Sequence, residues 1–450
     1  MKSYLIVGAL LLVIVALLAT NKKLVETIKN IFKIEDLRKR IGYTVLLILI
    51  YRLGCYVVIP GINPNLLGEG SALANQMDSN SLLGLLNVFS GGAFANAAIF
   101  ALGVMPYITA SIIIQLLGMM VPAVQKVMKE GESGRRKMNQ WTRFLTIAVL
   151  LLQAPAYLKS TVMRYNAVSM GEDTFIYTST IILIAGTMFI MWLGEKITDK
   201  GIGNGVSLII MIGIVARLPH AFLEEFMFQV SASGSIIMLI VELVFLAMVF
   251  MLAIAIVQAV RKIPVQYAKR IVGNKQYGGV RQYIPLKLNA ANVMPIIFAQ
   301  ALMFIPGLIW GGQWLDIQSF WYNFTLFALV IAFTYFYTAI IVNPQMMADD
   351  MKRNGGFIPG VKPGKSTVTY IDNIMTRITL PGSIFLAIIT VLPAIAMTIG
   401  ISQGFAYFFG GTSLLIMVGV VLDTLKQIES YLLMRHYDGL MKTGRIQGRY

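Results

Sequence analysis

The sequence predicts an all-α polytopic membrane protein with ten transmembrane helices. Three observations carry that prediction. Of 450 residues, 57% are hydrophobic and only 13% charged, whereas a soluble globular chain carries roughly 25% charged residues. The apolar residues are gathered into long runs separated by short polar segments, which is the pattern of a chain folded in lipid. Most of the 37 Lys and Arg residues fall in alternate segments between those runs, as the positive-inside rule requires of cytoplasmic loops.

A span takes about 20 mostly apolar residues. Lipid offers the backbone no hydrogen-bond partners, so nearly all backbone at membrane depth is expected to be helical. The runs 41–60, 98–121, 142–159, 175–194, 205–223, 235–260, 293–311, 321–342, 378–399 and 411–433 are the expected spans. A further apolar run precedes them at 4–19. It resembles a signal peptide, but residues 16–19 (Ala-Leu-Leu-Ala) make a poor cleavage site and Lys22 and Lys23 follow at once. The expectation for 1–20 is an uncleaved peripheral helix; an eleventh span and an extension without a role are the alternatives. Residues 21–40 read as a cytoplasmic amphipathic helix, because Leu24, Ile28, Ile31, Ile34 and Leu37 recur at helical spacing with lysines between them.

Orientation follows from the basic residues. Segments 22–40, 122–143, 261–292 and 343–377 and the tail 434–450 are rich in Lys and Arg, whereas 61–97 and 400–410 have none and 160–174 has only Arg164. With ten spans, the segments before the first and after the last both lie on the basic, cytoplasmic side.

Two features exceed what a plain bundle needs. Residues 82–97 (LLGLLNVFSGGAFANA) are apolar but too short to span, and Gly91–Gly92 interrupt them. Glycine-broken short segments mark the working site of many transport proteins; a re-entrant or surface loop without a role is the other reading. The second feature is the pair of long loops at 261–292 and 343–377. Loops beyond about 15 residues are usually functional or disordered. The first loop has no acidic residue and carries Tyr267, Tyr277 and Tyr283, and the second contains GGFIPGVKPGK (355–365). A basic loop bearing aromatics suits the phosphates of ribosomal RNA or an acidic protein surface.

Several classes are disfavoured. The one cysteine, Cys55, permits no disulfide framework, and His220 and His436 are too few and too distant for a metal cluster. There is no HExxH, GxSxG or Walker A sequence, so neither an enzyme nor a bound cofactor is expected. An ion-coupled secondary transporter of small solutes is the alternative. It needs a mid-membrane carboxylate, for which Glu242 and Asp423 are the candidates. Arg52, Arg217, Glu242 and Asp423 are scattered, and each is expected to snorkel or pair locally.

Seven motifs together resemble the bacterial SecY family of protein-translocation channel subunits. They are FSGGAF (89–94), IFALGVMPYITASIIIQLL (99–117), KEGESGRRK (129–137), MWLGEKITDKGIGNGVS (191–207), RKIPVQYAKR (261–270), GVKPGK (360–365) and GGTSLLI (410–416). The resemblance runs from about residue 22 to about 448. It implies two inverted five-helix halves, 41–223 and 235–433, joined by a hinge at 224–234 around a central pore that opens sideways to lipid. It implies a short plug helix over 82–92, bearing Leu82, Leu83, Leu85, Leu86, Val88, Phe89, Ser90, Gly91 and Gly92. The implied pore ring is Val104, Ile108, Val206, Ile210, Ile297 and Ile416. Such a ring fits around any polypeptide, makes no specific hydrogen bonds, and excludes ions by dewetting.

The implied lateral gate lies between spans two and three on one side and seven and eight on the other, with Ser111 and Gln115 in the matching stretch of span two. Gln115 either weakens the seam or bonds to a neighbouring helix. The implied docking residues for the SecA motor and the ribosome are Arg261, Lys262, Lys269, Arg270, Lys352, Arg353 and Lys362. Where the family commonly has Arg, this chain has Lys362, which keeps the charge and loses the bidentate fork. Further implied partners are SecE-like and SecG-like small membrane subunits, preprotein substrates and membrane lipids. The implied location is the bacterial cytoplasmic membrane, with the C-terminus in the cytoplasm.

Overall fold

The computed structural model describes residues 34–63, 81–163, 168, 171–231, 236–267, 270–272, 275–277, 281–291, 293–310 and 318–442. The expectations for 1–20, for 21–33 and for Lys269 therefore lie outside the described residues. The chain forms two compact units, one of Met1–Ser233 with Val420–Tyr450 and one of Gly234–Gly419.

The first unit is helical. Its elements are α1 (Glu35–Gly54), α2 (Ser81–Phe89), α3 (Met105–Met120), α4 (Pro122–Lys129), α5 (Glu132–Tyr157), α6 (Glu172–Lys200) and α7 (Gly205–Ser231). Helix α1 is continuous from Glu35, so no break separates a cytoplasmic helix ending at 40 from a span starting at 41. Prolines set several boundaries. Pro106 and Pro122 sit in the first turns of α3 and α4, where a missing N–H costs nothing. Pro155 lies inside α5, and the helix widens into a π turn at Leu158–Val162 just after it. Loss of a ladder hydrogen bond at proline explains a local change of winding. Helix α7 runs to Ser231, so most of the expected hinge at 224–234 is helical.

The expected span 98–121 is corrected. Only Met105–Met120 is helical, and residues 90–104 form irregular turns. That backbone is tolerated because protein groups satisfy it. The Ile59 N–H donates to the Ala97 carbonyl (3.0 Å) and the Ile99 N–H to the Val57 carbonyl (2.9 Å). The Tyr157 hydroxyl donates to the Phe94 carbonyl (2.8 Å). Ala95, Ala97, Phe94, Leu158 and Phe175 belong to one buried cluster there; the alanines let the backbone pass close to its neighbours.

The second unit contains α8 (Ile236–Gln258), β1 (Val260–Tyr267), β2 (Arg270–Val272), β3 (Lys275–Tyr277), β4 (Arg281–Lys287), α9 (Met294–Trp310), α10 (Phe320–Ile341), α11 (Pro344–Arg353), β5 (Gly356–Phe357), α12 (Lys365–Ile399) and α13 (Gln403–Ala406). The last helix, α14 (Gly411–Lys442), is shared between the two units. The loop expected at 261–292 is instead a sheet. Strand β1 pairs antiparallel with β4, from Val260↔Lys287 to Gln266↔Arg281, and β5 adds to its other edge at Gln266↔Phe357 and Tyr267↔Gly356. The sheet order is β4-β1-β5. Ile263, Val265 and Leu286 pack with Met351 of α11, Ile358, and Ile371 and Met375 of α12. The two long loops are thus one small module with its own apolar core.

A helix overlaps each of the ten expected spans. Among the described residues, six helical stretches are long and apolar enough to cross a membrane: Glu172–Lys200, Gly205–Val230, Ile237–Gln258, Phe320–Arg353, Lys365–Ile399 and Gly411–Leu433. A seventh candidate is the pair Met105–Gly118 and Pro122–Met128, bent by 105°. Helix α1 falls short because Arg38, Lys39, Arg40 and Arg52 lie within its 20 residues, and α9 because it has 17.

Candidate functional site

Helix α2 is short and mostly apolar, with Asn87 the polar residue of its last turn. It packs against α7. Three carbonyls of its final turn are closed by the chain that follows. The Ser90 N–H donates to the Leu86 carbonyl (3.0 Å), Gly91 to Val88 (3.1 Å) and Gly92 to Asn87 (3.0 Å). Gly91 and Gly92 have φ of 66° and 91°, the left-handed region that glycine enters without a Cβ penalty. The Asn87 side chain is 1% exposed. Its Oδ1 accepts from the Ala95 N–H at 3.1 Å, and the Ser90 Oγ accepts from the Phe94 N–H at 3.1 Å. These bonds tie the helix end to the irregular turns beyond it.

Helix α1 holds the same turn from another side. The Arg52 guanidinium donates to the Gly91 carbonyl at 2.6 Å, and the buried Tyr51 hydroxyl to the Ser90 carbonyl at 3.4 Å. On α7, Gly213 makes the approach possible. A Cβ there would stand 2.8 Å from the Phe89 carbonyl oxygen and 3.2 Å from the Gly91 nitrogen. Gly213 lies one turn beyond Ile210, on the same side of the helix. None of Arg52, Tyr51, Asn87 or Gly213 stands among the sequence-derived site residues. The signal for Arg52 was legible as a lone arginine ending an apolar run.

The residues implied for the pore ring are distributed as follows. Val104 bounds α3 and is buried; Ile108 lies one turn on and is half-buried. Val206 and Ile210 are one turn apart at the start of α7, both half-buried. Ile297 on α9 is half-buried, and Ile416 on α14 is buried. Ser111 and Gln115 lie one turn apart on α3, and the Gln115 amide donates to the Ser111 hydroxyl at 3.3 Å. That pairing satisfies part of each group within one helix.

The module of the second unit gathers most of the basic residues implied for docking. Arg261 and Lys262 are exposed on β1, and Arg270 opens β2. Lys352 and Arg353 are exposed in the last turn of α11, where cations favour the helix dipole. Lys362 is exposed at a tip formed by Gly360 and Gly364, with φ of 84° and 105°. The Lys362 carbonyl accepts from the Thr367 hydroxyl at 3.0 Å, which ties the tip to the start of α12.

The described residues thus form a mostly helical membrane protein with a short, mostly apolar helix in one unit and a basic module in the other. The family profile described as SecY matches residues 98–425. The protein translocase subunit SecY of Chlamydia trachomatis is 39% identical over 460 residues, covering 94% of this chain and 99% of that one. The chain belongs to the SecY family. Among solved structures, one described as the structure of a protein conducting channel matches with a TM-score of 0.60 at 16% identity, covering 87% of this chain and 92% of that chain. Another, described as Sec61 in the canine ribosome-channel complex from the endoplasmic reticulum, matches with a TM-score of 0.57 at 15% identity and the same coverage. These two likenesses bear on the fold alone.

Proposed function

We propose that this chain is the pore-forming subunit of the general protein secretion channel of a bacterial cytoplasmic membrane. It passes unfolded preproteins across and releases signal sequences and membrane helices sideways into lipid. The observation that carries this reading is membership of the SecY family over nearly the whole chain. In this reading ten helices form two inverted halves of five, and the C-terminus is cytoplasmic. Val104, Ile108, Val206, Ile210, Ile297 and Ile416 close around the translocating chain. Helix α2 with Ser90–Gly92 is the plug. The seam bearing Ser111 and Gln115 opens to lipid. Each Leu or Ile of a signal sequence gains about 0.3–0.6 kcal/mol at the bilayer centre, so ten suffice to draw it out of the pore.

The channel is passive in this account. SecE-like and SecG-like subunits complete it, and the SecA motor or the ribosome drives it through the basic module. The two docking loops share one apolar core, centred on Val265 and Met351, which supports their acting as a single platform. The family match gives the transporter reading no support; of its two candidate carboxylates, Glu242 is buried and Asp423 is exposed.

Replacing Lys362 by Glu tests the platform. The substitution reverses an exposed charge and leaves the Thr367 bond to the backbone in place. We expect SecA-dependent export of a preprotein into inverted vesicles to fall about tenfold, since charge reversal at a docking contact typically costs 1–2 kcal/mol or more. Unchanged export would remove Lys362 from the docking surface.

A further inference from the structure

We infer that Arg52 is a positioning residue that latches the plug in its resting place. The inference rests on α2 being the plug. An arginine within an apolar helix is expensive, roughly 2.5–3.5 kcal/mol at the bilayer centre on insertion scales, and calls for a reason. Here the guanidinium has two specific tasks. One nitrogen donates to the Gly91 carbonyl at 2.6 Å, and the other donates to the Tyr56 hydroxyl at 2.7 Å. The same guanidinium lies over the Tyr56 ring, 4.9 Å from its centroid. Tyr56 therefore fixes the arginine from one side while the arginine fixes Gly91 from the other.

The site of that contact matters. Gly91 follows the C-terminal end of α2, where the helix dipole and the last carbonyls favour a cation. The backbone there is already confined by the glycine conformations of Gly91 and Gly92 and by the close pass of Gly213. Displacing α2 together with its Ser90–Gly92 turn away from α7 moves the Gly91 carbonyl away from Arg52 and breaks this bond. A charge-assisted bond of this length and part-buried setting is among the stronger contacts a carbonyl makes. Breaking it also removes the guanidinium's bond to the plug turn and leaves its bond to Tyr56. The contact thus opposes displacement of the plug turn, since among the described residues Gly91 is the distant backbone group to which Arg52 donates.

The test is a set of variants in the full chain with its small membrane subunits, reconstituted in planar bilayers without substrate. Arg52→Met removes the donor and keeps an unbranched apolar stem. We expect resting ion conductance to rise on the order of tenfold or more, from the usual worth of a bond to a charged group. Amide hydrogen exchange at Ser90, Gly91 and Gly92 should accelerate by a similar factor while the thermal midpoint stays close to the parent. Arg52→Lys, which keeps a point charge and one contact, should fall between the two. Tyr56→Phe keeps the ring and removes one hydroxyl, and should raise both readouts a fewfold. It decides the matter should the Arg52 variants fail to fold. Gly213→Val, which presses on the plug turn directly, separates this inference from the reading beneath it. A leak in Gly213→Val with parental conductance and exchange in Arg52→Met and Tyr56→Phe overturns the latch and keeps the plug. Parental conductance in all of them overturns both. A lowered thermal midpoint without leak makes Arg52 a fold contact only, and overturns the latch.

Discussion

Replacing both Ile108 and Ile210 with serine makes the resting channel leak ions. Each isoleucine is half-buried on a different helix, α3 and α7, and each is expected to face a constriction that stays dry. A dry apolar constriction blocks ions because water leaves it and hydrated ions cannot follow. Burying an isoleucine side chain is worth about 1.5–3 kcal/mol, and a hydroxyl in its place hydrogen-bonds to water. Every 1.4 kcal/mol is a factor of ten in an equilibrium, so each substitution should raise the wet population at least about tenfold. The single variants should leak less than the pair. Planar-bilayer conductance without substrate reads this directly. Parental conductance in the double variant would mean that these two side chains pack between helices and line no pore.

Gly213→Val should open the same barrier by another route. The added Cβ would meet the Phe89 carbonyl oxygen at 2.8 Å and the Gly91 nitrogen at 3.2 Å. Both are backbone atoms, which cannot step aside as a side-chain end can. Overpacking of this kind typically costs 1–3 kcal/mol. It falls on the contact between α2, with its closing turn, and α7. The expected result is a leak about tenfold or more above the parent, with a modest fall in thermal stability. Gly213→Ala should show the same two effects at reduced size. A stable Gly213→Val channel that stays closed would mean that α2 does not seal the pore.

Much of the helical layout is legible because apolar runs of span length leave the backbone few alternatives in lipid. Helices α6, α7, α8, α10, α12 and α14 follow from that rule alone. The segment 98–104 defeats it. Residues 98–121 read as a span by hydropathy, yet the small residues Ala97, Ala98 and Ala101 let the backbone pack tightly against the chain at Val57–Ile59. Its hydrogen bonds go to neighbouring protein, which composition cannot reveal. The sheet was hidden for a different reason. Ile263 and Val265 alternate with exposed Lys262 and Pro264, a strand pattern, but prolines at 264 and 285 argue against strands. They are tolerated because β5 reaches β1 only at Gln266 and Tyr267, so that edge of β1 is free at Pro264.

The site divided in the same way. Residues embedded in long motifs, such as Ile108, Val206 and Ile416, were found by resemblance. Arg52, Tyr51 and Gly213 act through a turn far away in sequence; the lone charge of Arg52 is the one local mark, and nothing local marks Tyr51 or Gly213. Lys362 shows both sides. Its charge and its glycine-flanked tip are legible, whereas the core that joins its loop to the β1–β4 hairpin depends on Met351, Ile358 and Ile371 packing on Val265.

The most direct test places a cysteine at position 108 in a chain whose own Cys55 is replaced by alanine. A secretory chain is stalled partway through, with its own cysteine at the depth of the constriction, and disulfide formation is measured. The account predicts a crosslink at position 108 and none from a cysteine at the exposed Leu152 position on α5, which is 78% exposed. A crosslink at 152 and none at 108 would contradict the account, because the secretory chain would then pass outside the helices proposed to surround it.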